Sequence, residues 1–283
     1  MAEASAPASS ANLGAGFDTL ALALELRCRV MAEPSADWGV DHVGEHRPRS
    51  SSPDAVLVAA QRAIGKDRPM HLTVNSDIPV ARGLGSSAAA SAAGALAAWR
   101  ATGIEPNHRQ LFDLVVSLEG HADNAAATVF GGLHAVTVAG DAHPLALYPD
   151  LVPVLAVPDA MLLTNDARAV LPDSISRQVV VRSLQRAVAL VEGLRTGDPA
   201  LLAAAFGDEI HEEPRNDLNP VAVTLIEAVR AAGAFFACWS GAGPSVLAVA
   251  PVAQRPEVAR TMASVLDARG MVLTPEIAAE GIR

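Results

Sequence analysis

Apolar residues recur along this chain with two different periods, and the alternation between them predicts a mixed architecture. Met70-His71-Leu72-Thr73-Val74 alternates apolar and polar side chains, the period of a strand with one buried face. Pro53 to Ile64 reads as a helix opened by its proline, and Arg109 to Leu118 carries apolar residues at helical spacing. Further on, short apolar runs at 152–157 and 161–164 read as strands, followed by a long helix from Ser176 to about Leu194. A helix over 219–231, strands over 234–239 and 246–250, a helix over 255–268 and a strand over 271–274 complete the pattern. Elements mixed in this way predict an α+β fold with layers in both halves. Polar, proline-containing stretches at 44–53 and 140–150 read as loops, and a domain boundary is expected near Tyr148-Pro149-Asp150, dividing 1–148 from 149–283.

Composition narrows the function classes. Aromatic residues make up only 4% of 283, which argues against base-stacking platforms, and the net charge of −10 lacks the basic footprint of a nucleic-acid binder or of a ligand for anionic membranes. The N-terminus has no signal-peptide pattern and no run of 18 apolar residues occurs, so a soluble, cytoplasmic protein is expected. Cys28 and Cys238 match no metal or redox spacing and read as reduced core thiols. Among 21 basic residues the only lysine is Lys66, in the turn-like stretch Gly65-Lys66-Asp67-Arg68-Pro69, with no G-x-x-x-x-G-K-[ST] around it. Mechanisms that need a P-loop, protein-kinase or Schiff-base lysine are thereby set aside.

An anion cradle is nevertheless present in Pro79-Val80-Ala81-Arg82-Gly83-Leu84-Gly85-Ser86-Ser87-Ala88-Ala89, which follows a strand and enters an Ala-rich helix running to Ala98. Gly83 and Gly85 allow the backbone close to a ligand, and the unpaired N–H groups of the helix start would point at a phosphate. Ser86 and Ser87 add hydroxyls for a phosphate oxygen or Mg²⁺. A glycine turn with a serine cap is the plain alternative, but a cap needs one hydroxyl rather than two.

The spelling P-x-x-x-G-L-G-S-S-A-A resembles the nucleotide-binding motif of the GHMP kinase superfamily, whose members use no P-loop lysine. Pro7-Ala8-Ser9-Ser10-Ala11-Asn12-Leu13-Gly14-Ala15-Gly16-Phe17-Asp18 looks like the first motif of the homoserine kinase family, and Ser240-Gly241-Ala242-Gly243-Pro244-Ser245 like the superfamily's third. The resemblance spans nearly the whole chain. It implies a two-domain fold, with an N-terminal domain like ribosomal protein S5 domain 2 and a ferredoxin-like C-terminal domain. It also implies ATP and Mg²⁺ as cofactors, with L-homoserine phosphorylated on its side-chain hydroxyl on the route to threonine.

Glu119 ends the helix from Arg109, where a carboxylate sits against the helix dipole and a cation would relieve it, although a solvated surface Glu fits the position equally. The family pattern places a Mg²⁺-binding Glu here, with Ser86 beside it, and in its E-G-H-x-D-N spelling assigns His121 and Asn124 to the acceptor. Several GHMP kinases carry an aspartate general base seven residues before a G-G pair. Counting back from Gly131 reaches Asn124, an amide that cannot take a proton. The resemblance therefore implies transfer without a side-chain base, with Asp123 ranked behind that reading. Asn12 and Asp18 match the residues that hold the amino acid's polar groups, and Thr164, Arg168 and Arg215 match the downstream segments that supply arginines to its carboxylate. Two departures bear on this acceptor site: the chain has Asn165-Asp166 and Glu212-Glu213-Pro214-Arg215 where the family spells these segments differently, and 47–54 matches too poorly to place adenine contacts. Asp18 with Arg168 and Arg215 favours a zwitterionic acceptor over a mevalonate-like, shikimate or sugar alternative, Ser86, Ser87 and Glu119 argue against a catalytically silent small-molecule binder, and a homodimer remains open. Phosphate binding without an available lysine in an acidic chain predicts a cleft made locally positive by backbone N–H groups at 83–88, the metal at Glu119 and selected arginines.

Overall fold

The computed structural model describes residues 1–48 and 53–283. Residues 49–52, within the loop expected over 44–53 and the poorly matching segment 47–54, lie outside the described residues. Strands β1 (Ala2–Leu13), β2 (Gly16–Pro34), β3 (Gly39–Val43), β4 (Met70–Ser76), β5 (Leu133–Val136) and β6 (Ala142–Leu145) form one sheet. Its order is β3-β4-β2-β5-β6, with β1 also paired to β2, and every pairing is antiparallel except β3 with β4. Helices α1 (Ala55–Ile64), α2 (Ser86–Ala101), α3 (His108–Glu119) and α4 (Asp123–Phe130) cover it. Helix α1 opens two residues after the expected Pro53, because the Asp54 side chain accepts the N–H groups of Val56 and Leu57 and so caps it there. Helix α2 is buried on nearly every side from Ala88 to Ala98, and a Cβ on Gly94 would meet Val56 O at 2.7 Å, so its small residues serve close helix packing.

The second sheet is antiparallel with order β10-β7-β9-β8, built from β7 (Leu151–Pro158), β8 (Phe236–Trp239), β9 (Val246–Pro251) and β10 (Gly270–Leu273). Helices α5 (Thr164–Ala169), α6 (Arg177–Thr196), α7 (Pro199–Ala204) and α8 (Glu212–Arg215) follow β7, and α9 (Pro220–Ala231) and α10 (Arg255–Leu266) flank β8 and β9. The path β7-α9-β8-β9-α10-β10, with its first and third strands central, is the ferredoxin-like arrangement. The strand expected over 161–164 is not formed: α5 begins at Thr164, and Leu162 N donates to Ala81 O at 3.3 Å. Only Leu162 of this run is partly buried, against the second core, while Met161 and Leu163 are exposed.

Strand β7 shows why its sequence is apolar throughout rather than alternating. Val154 and Ala156 face a core shared with α9 and α10, whereas Leu155 and Val157 belong to the large cluster that continues into the first sheet. A strand covered on both faces leaves no side for polar residues. The last ten residues return to the first sheet, where Ser5 and Arg283 exchange backbone hydrogen bonds of 2.7 and 2.9 Å and the buried Arg27 donates to Gly281 O at 3.0 Å.

Candidate active site

Three separated segments converge because glycine lets their backbones touch. Gly85 is the N-cap of α2, in the left-handed conformation at φ 64°, and no side chain caps the helix, so neither serine is consumed in that role. A Cβ on Gly83 would lie 2.0 Å from Ser240 O and one on Gly85 would lie 2.0 Å from Ser9 Oγ, contacts no side chain could occupy. Ser240 Oγ donates to Gly83 O at 2.7 Å and lies 2.8 Å from Ser10 Oγ. The strand β1, the loop before α2 and the loop after β8 are thereby tied into one wall.

That wall bounds a cavity of about 340 Å³ lined by Asn12, Val80, Ala81, Gly83 to Ser87, Glu119, His121, Asp123, Asn124, Thr164, Arg168 and Arg215. Four of the residues expected at the nucleotide do not line it. Pro79 and Arg82 face a neighbouring hollow, where Arg82 donates to Asp159 O at 2.6 Å, and Ala88 and Ala89 are buried inside α2. Asp18 borders an adjoining space together with Ser87, Glu119 and Arg168. Lys66 is exposed in the turn after α1. A third hollow of about 160 Å³ shares Val80, Ser86 and Ser87 with the main cavity and continues to Cys28, Val56, Val74 and the His42–Asp54 pair, whose Nε2 and Oδ2 are 2.6 Å apart. Burial pushes the Cys28 thiol up to about 12 and raises that of Cys238 as well, so both remain protonated.

Glu119 closes α3 and takes hydrogen bonds from Ser87 Oγ at 2.7 Å and Ser91 Oγ at 3.3 Å on one oxygen, Oε1. Asn124 Oδ1 accepts from Ser9 Oγ at 2.8 Å, so the amide is held in place against β1. Asp123 is buried, and its Oδ1 accepts Asn124 N at 2.8 Å and lies 3.1 Å from His121 Nδ1. That hydrogen bond raises the His121 pKa against the opposing cost of burial. The cleft carries Glu119 and Asp123 against Arg168, Arg215 and His121, so its charge is balanced. Arg168 and Arg215 are the arginines expected to contribute positive potential there, and Glu119 and Asp123 offset them.

At the acceptor residues, Arg168 holds Asp18 through two hydrogen bonds of 2.5 and 3.1 Å, with both side chains a little over one-third exposed. Asn12 Oδ1 accepts Asp18 N at 2.8 Å and fixes the turn that presents this carboxylate. Arg215 is only 1% exposed, donating to Ala167 O at 3.0 Å and Gly241 O at 3.3 Å. Burial, with the nearby Arg168 cation, pushes its pKa down to about 10, still well above neutrality. Beside it Glu212 is buried and accepts Trp239 N at 2.7 Å, and burial pushes its pKa up to about 8.

The folded chain holds the Glu212 proton to higher pH than the unfolded chain does. Its stabilising contribution is complete below the ordinary value of 4.5 and is lost as pH rises towards 8. Glu212→Gln keeps an oxygen for Trp239 N–H, so its stability should fall less steeply than wild type across this window, by up to about 1.4 kcal/mol per pH unit. Urea unfolding at a series of pH values measures this, and parallel curves would show the carboxyl to be ionised in the fold.

Comparison with known proteins adds to this geometry. Residues 53–132 match the family of GHMP kinases N terminal domains and residues 190–268 that of GHMP kinases C terminal domains. The chain is 37% identical over 275 residues to the homoserine kinase of Limosilactobacillus fermentum, covering 95% of this chain and 96% of that one. It is 36% identical to the homoserine kinase of a Synechocystis species, covering 91% and 89%. The solved homoserine kinase of Cytophaga hutchinsonii superposes with a TM-score of 0.88 at 26% identity, covering 100% of this chain and 96% of that one. An L. major mevalonate kinase in complex with R-mevalonate shares the fold alone, at a TM-score of 0.77 and 14% identity.

Proposed function

The chain belongs to the homoserine kinase family of GHMP kinases, and from that premise we propose that it transfers the γ-phosphoryl group of ATP to the side-chain hydroxyl of L-homoserine. The observation that carries this reading is the Asp18–Arg168 ion pair bordering the same space as the glycine-rich loop. An α-amino acid carries the same two charges as this pair. Its ammonium can replace Arg168 at Asp18 while its carboxylate replaces Asp18 at Arg168, so binding exchanges one ion pair for two without exposing a bare charge. Arg215 supplies a second guanidinium to the carboxylate, and Asn12, His121 and Thr164 complete the polar lining. Mevalonate has no ammonium to satisfy Asp18.

The triphosphate is received by backbone N–H groups at the start of α2, opened by Gly83 and Gly85, with Ser86 and Ser87 hydroxyls beside them. The adjoining hollow of Cys28, Val56 and Val74 suits a flat apolar base, which extends the nucleotide site beyond the glycine-rich motif. Glu119 and Ser86 suit Mg²⁺, because this ion needs one or two carboxylates together with phosphate oxygens and water rather than a full protein cage. When bound it neutralises charge on the phosphates.

The acceptor oxygen forms a bond to the γ-phosphorus as the bond to the β-phosphate oxygen breaks, and the hydroxyl proton passes to the transferred phosphate. Such a loose transition state asks for alignment and charge neutralisation more than for a base. The amide of Asn124, pinned by Ser9, suits orientation of the acceptor, while Asp123 is occupied by His121 and Asn124 N.

A coupled ADP-release assay over hydroxy acids, amino alcohols, sugars and L-homoserine tests the assignment. Turnover should be largest with L-homoserine. Turnover of mevalonate or a sugar without homoserine would replace the acceptor, and silence with every compound would favour a non-catalytic binder.

A further inference from the structure

Next to the acceptor arginines lies a buried polar pair that phosphoryl transfer leaves unused. His211 is fully enclosed, and its Nδ1 lies 2.7 Å from Asp208 Oδ2. The same carboxylate oxygen accepts Ile210 N at 2.9 Å and His211 N at 2.6 Å, so the acid is fixed by its own turn. With Nδ1–H donating to Asp208, Nε2 is left as a lone-pair acceptor, and both Nε2 and Asp208 Oδ1 are buried without hydrogen-bond partners among the described residues. A core histidine retained for packing alone would be improved by an apolar replacement, so this unsatisfied pair calls for an explanation.

The explanation lies in what the imidazole touches. Its ring stacks on Phe17, with centroids 4.9 Å apart and planes inclined by 20°. Phe17 precedes Asp18, and its ring centroid is 5.5 Å from Arg168 Cζ and 5.6 Å from Arg215 Cζ. A single phenyl ring thus meets both guanidiniums and the buried imidazole, and its neighbour in sequence carries the acidic partner of Arg168. Two arginines converging on one carboxylate repel each other, and an aromatic face offsets part of that repulsion only if the ring is held still. Burial lowers the His211 pKa, so the imidazole adds no third cation beside them.

We propose that the Asp208–His211 pair is the positioning element of the acceptor site, holding Phe17 by ring stacking and thereby setting how Arg168 and Arg215 are presented to the acceptor's carboxylate. This rests on the reading of those arginines as carboxylate ligands. Neither His211 nor Asp208 lines the cavity, so the pair acts through Phe17 and touches no substrate.

The test measures KM for L-homoserine, for L-homoserine amide and for ATP in the full-length wild type and in His211→Phe, Asp208→Asn and Phe17→Leu, with a melting midpoint for each. His211→Phe keeps a ring and loses the bond to Asp208, so the homoserine KM should rise about tenfold. Phe17→Leu should show the same rise, ATP KM should stay within about twofold, and the amide, which has no carboxylate, should be nearly unaffected. If His211→Phe fails to fold, Asp208→Asn and Phe17→Leu carry the same comparison. Parallel shifts for homoserine and its amide, a shift in ATP KM, or a lowered melting point with unchanged homoserine KM would each overturn the proposal. Should the wild type phosphorylate another hydroxy acid instead, the assignment of homoserine fails. The same comparison between that acid and its carboxyl-blocked form still decides the role of His211.

Discussion

Glu119→Gln should lower kcat by about 10²–10³-fold while the protein still folds and binds its acceptor. The amide retains an oxygen for Ser87 and Ser91, so the hydrogen bonds that join α3 to α2 survive and only the charge is removed. If Glu119 holds Mg²⁺ as proposed, the lost charge weakens that site, and the defect should be relieved in part by raising Mg²⁺. Steady-state kinetics across a Mg²⁺ series measures both effects. An unchanged kcat would move the metal away from Glu119, leaving Asp123 as the other carboxylate on the cavity wall.

Arg215→Ala should cost about 2–5 kcal/mol of acceptor binding, read as a rise in homoserine KM of about thirtyfold or more, with a much smaller change for ATP. Arg215 is nearly fully buried and lies in the wall formed by Ala167 and Gly241, so its charge is poorly screened. Arg168 is more than one-third exposed and already paired with Asp18, and Arg168→Ala should cost less, about tenfold in the same constant. The order of the two effects is the decisive result. A homoserine KM untouched by Arg215→Ala would remove that arginine from the acceptor site and reduce its role to bracing two carbonyls.

Much of this site could be read from residue types because glycine and serine advertise their task. Gly83 and Gly85 stand where a side chain would collide with β1 or the third motif, and such positions survive in sequence as an unmistakable spelling. The strands β1 and β2 were not legible in the same way. Ala2–Leu13 is built of Ala and Ser with no β-branched aliphatic residue, since its neighbours α2 and α4 approach too closely for Val or Ile. The run at 161–164 misled in the opposite direction, because Leu162 and Leu163 border the cavity ahead of α5 and form no ladder, with Met161 and Leu163 exposed.

The buried acids were illegible for a different reason. Asp208, His211 and Glu212 fall in a polar stretch, yet each is enclosed, with Asp208 holding the His211 ring and backbone and Glu212 accepting Trp239 N–H. Charge counting set aside a lysine-based phosphate site and left the compensating positive potential to backbone N–H groups at 83–88, a metal at Glu119 and selected arginines. The start of α2, whose N–H groups no side chain caps, fits the first of these sources.

Incubating the protein with ATP, Mg²⁺ and L-homoserine and following the mixture by ³¹P NMR tests the central claim most directly. A new phosphomonoester resonance coupled to the homoserine side-chain methylene should appear and grow in equal measure with ADP. ADP accompanied only by inorganic phosphate, or ATP left intact with homoserine when a second mixture with a different alcohol in its place yields ADP and that alcohol's phosphomonoester, would contradict that claim.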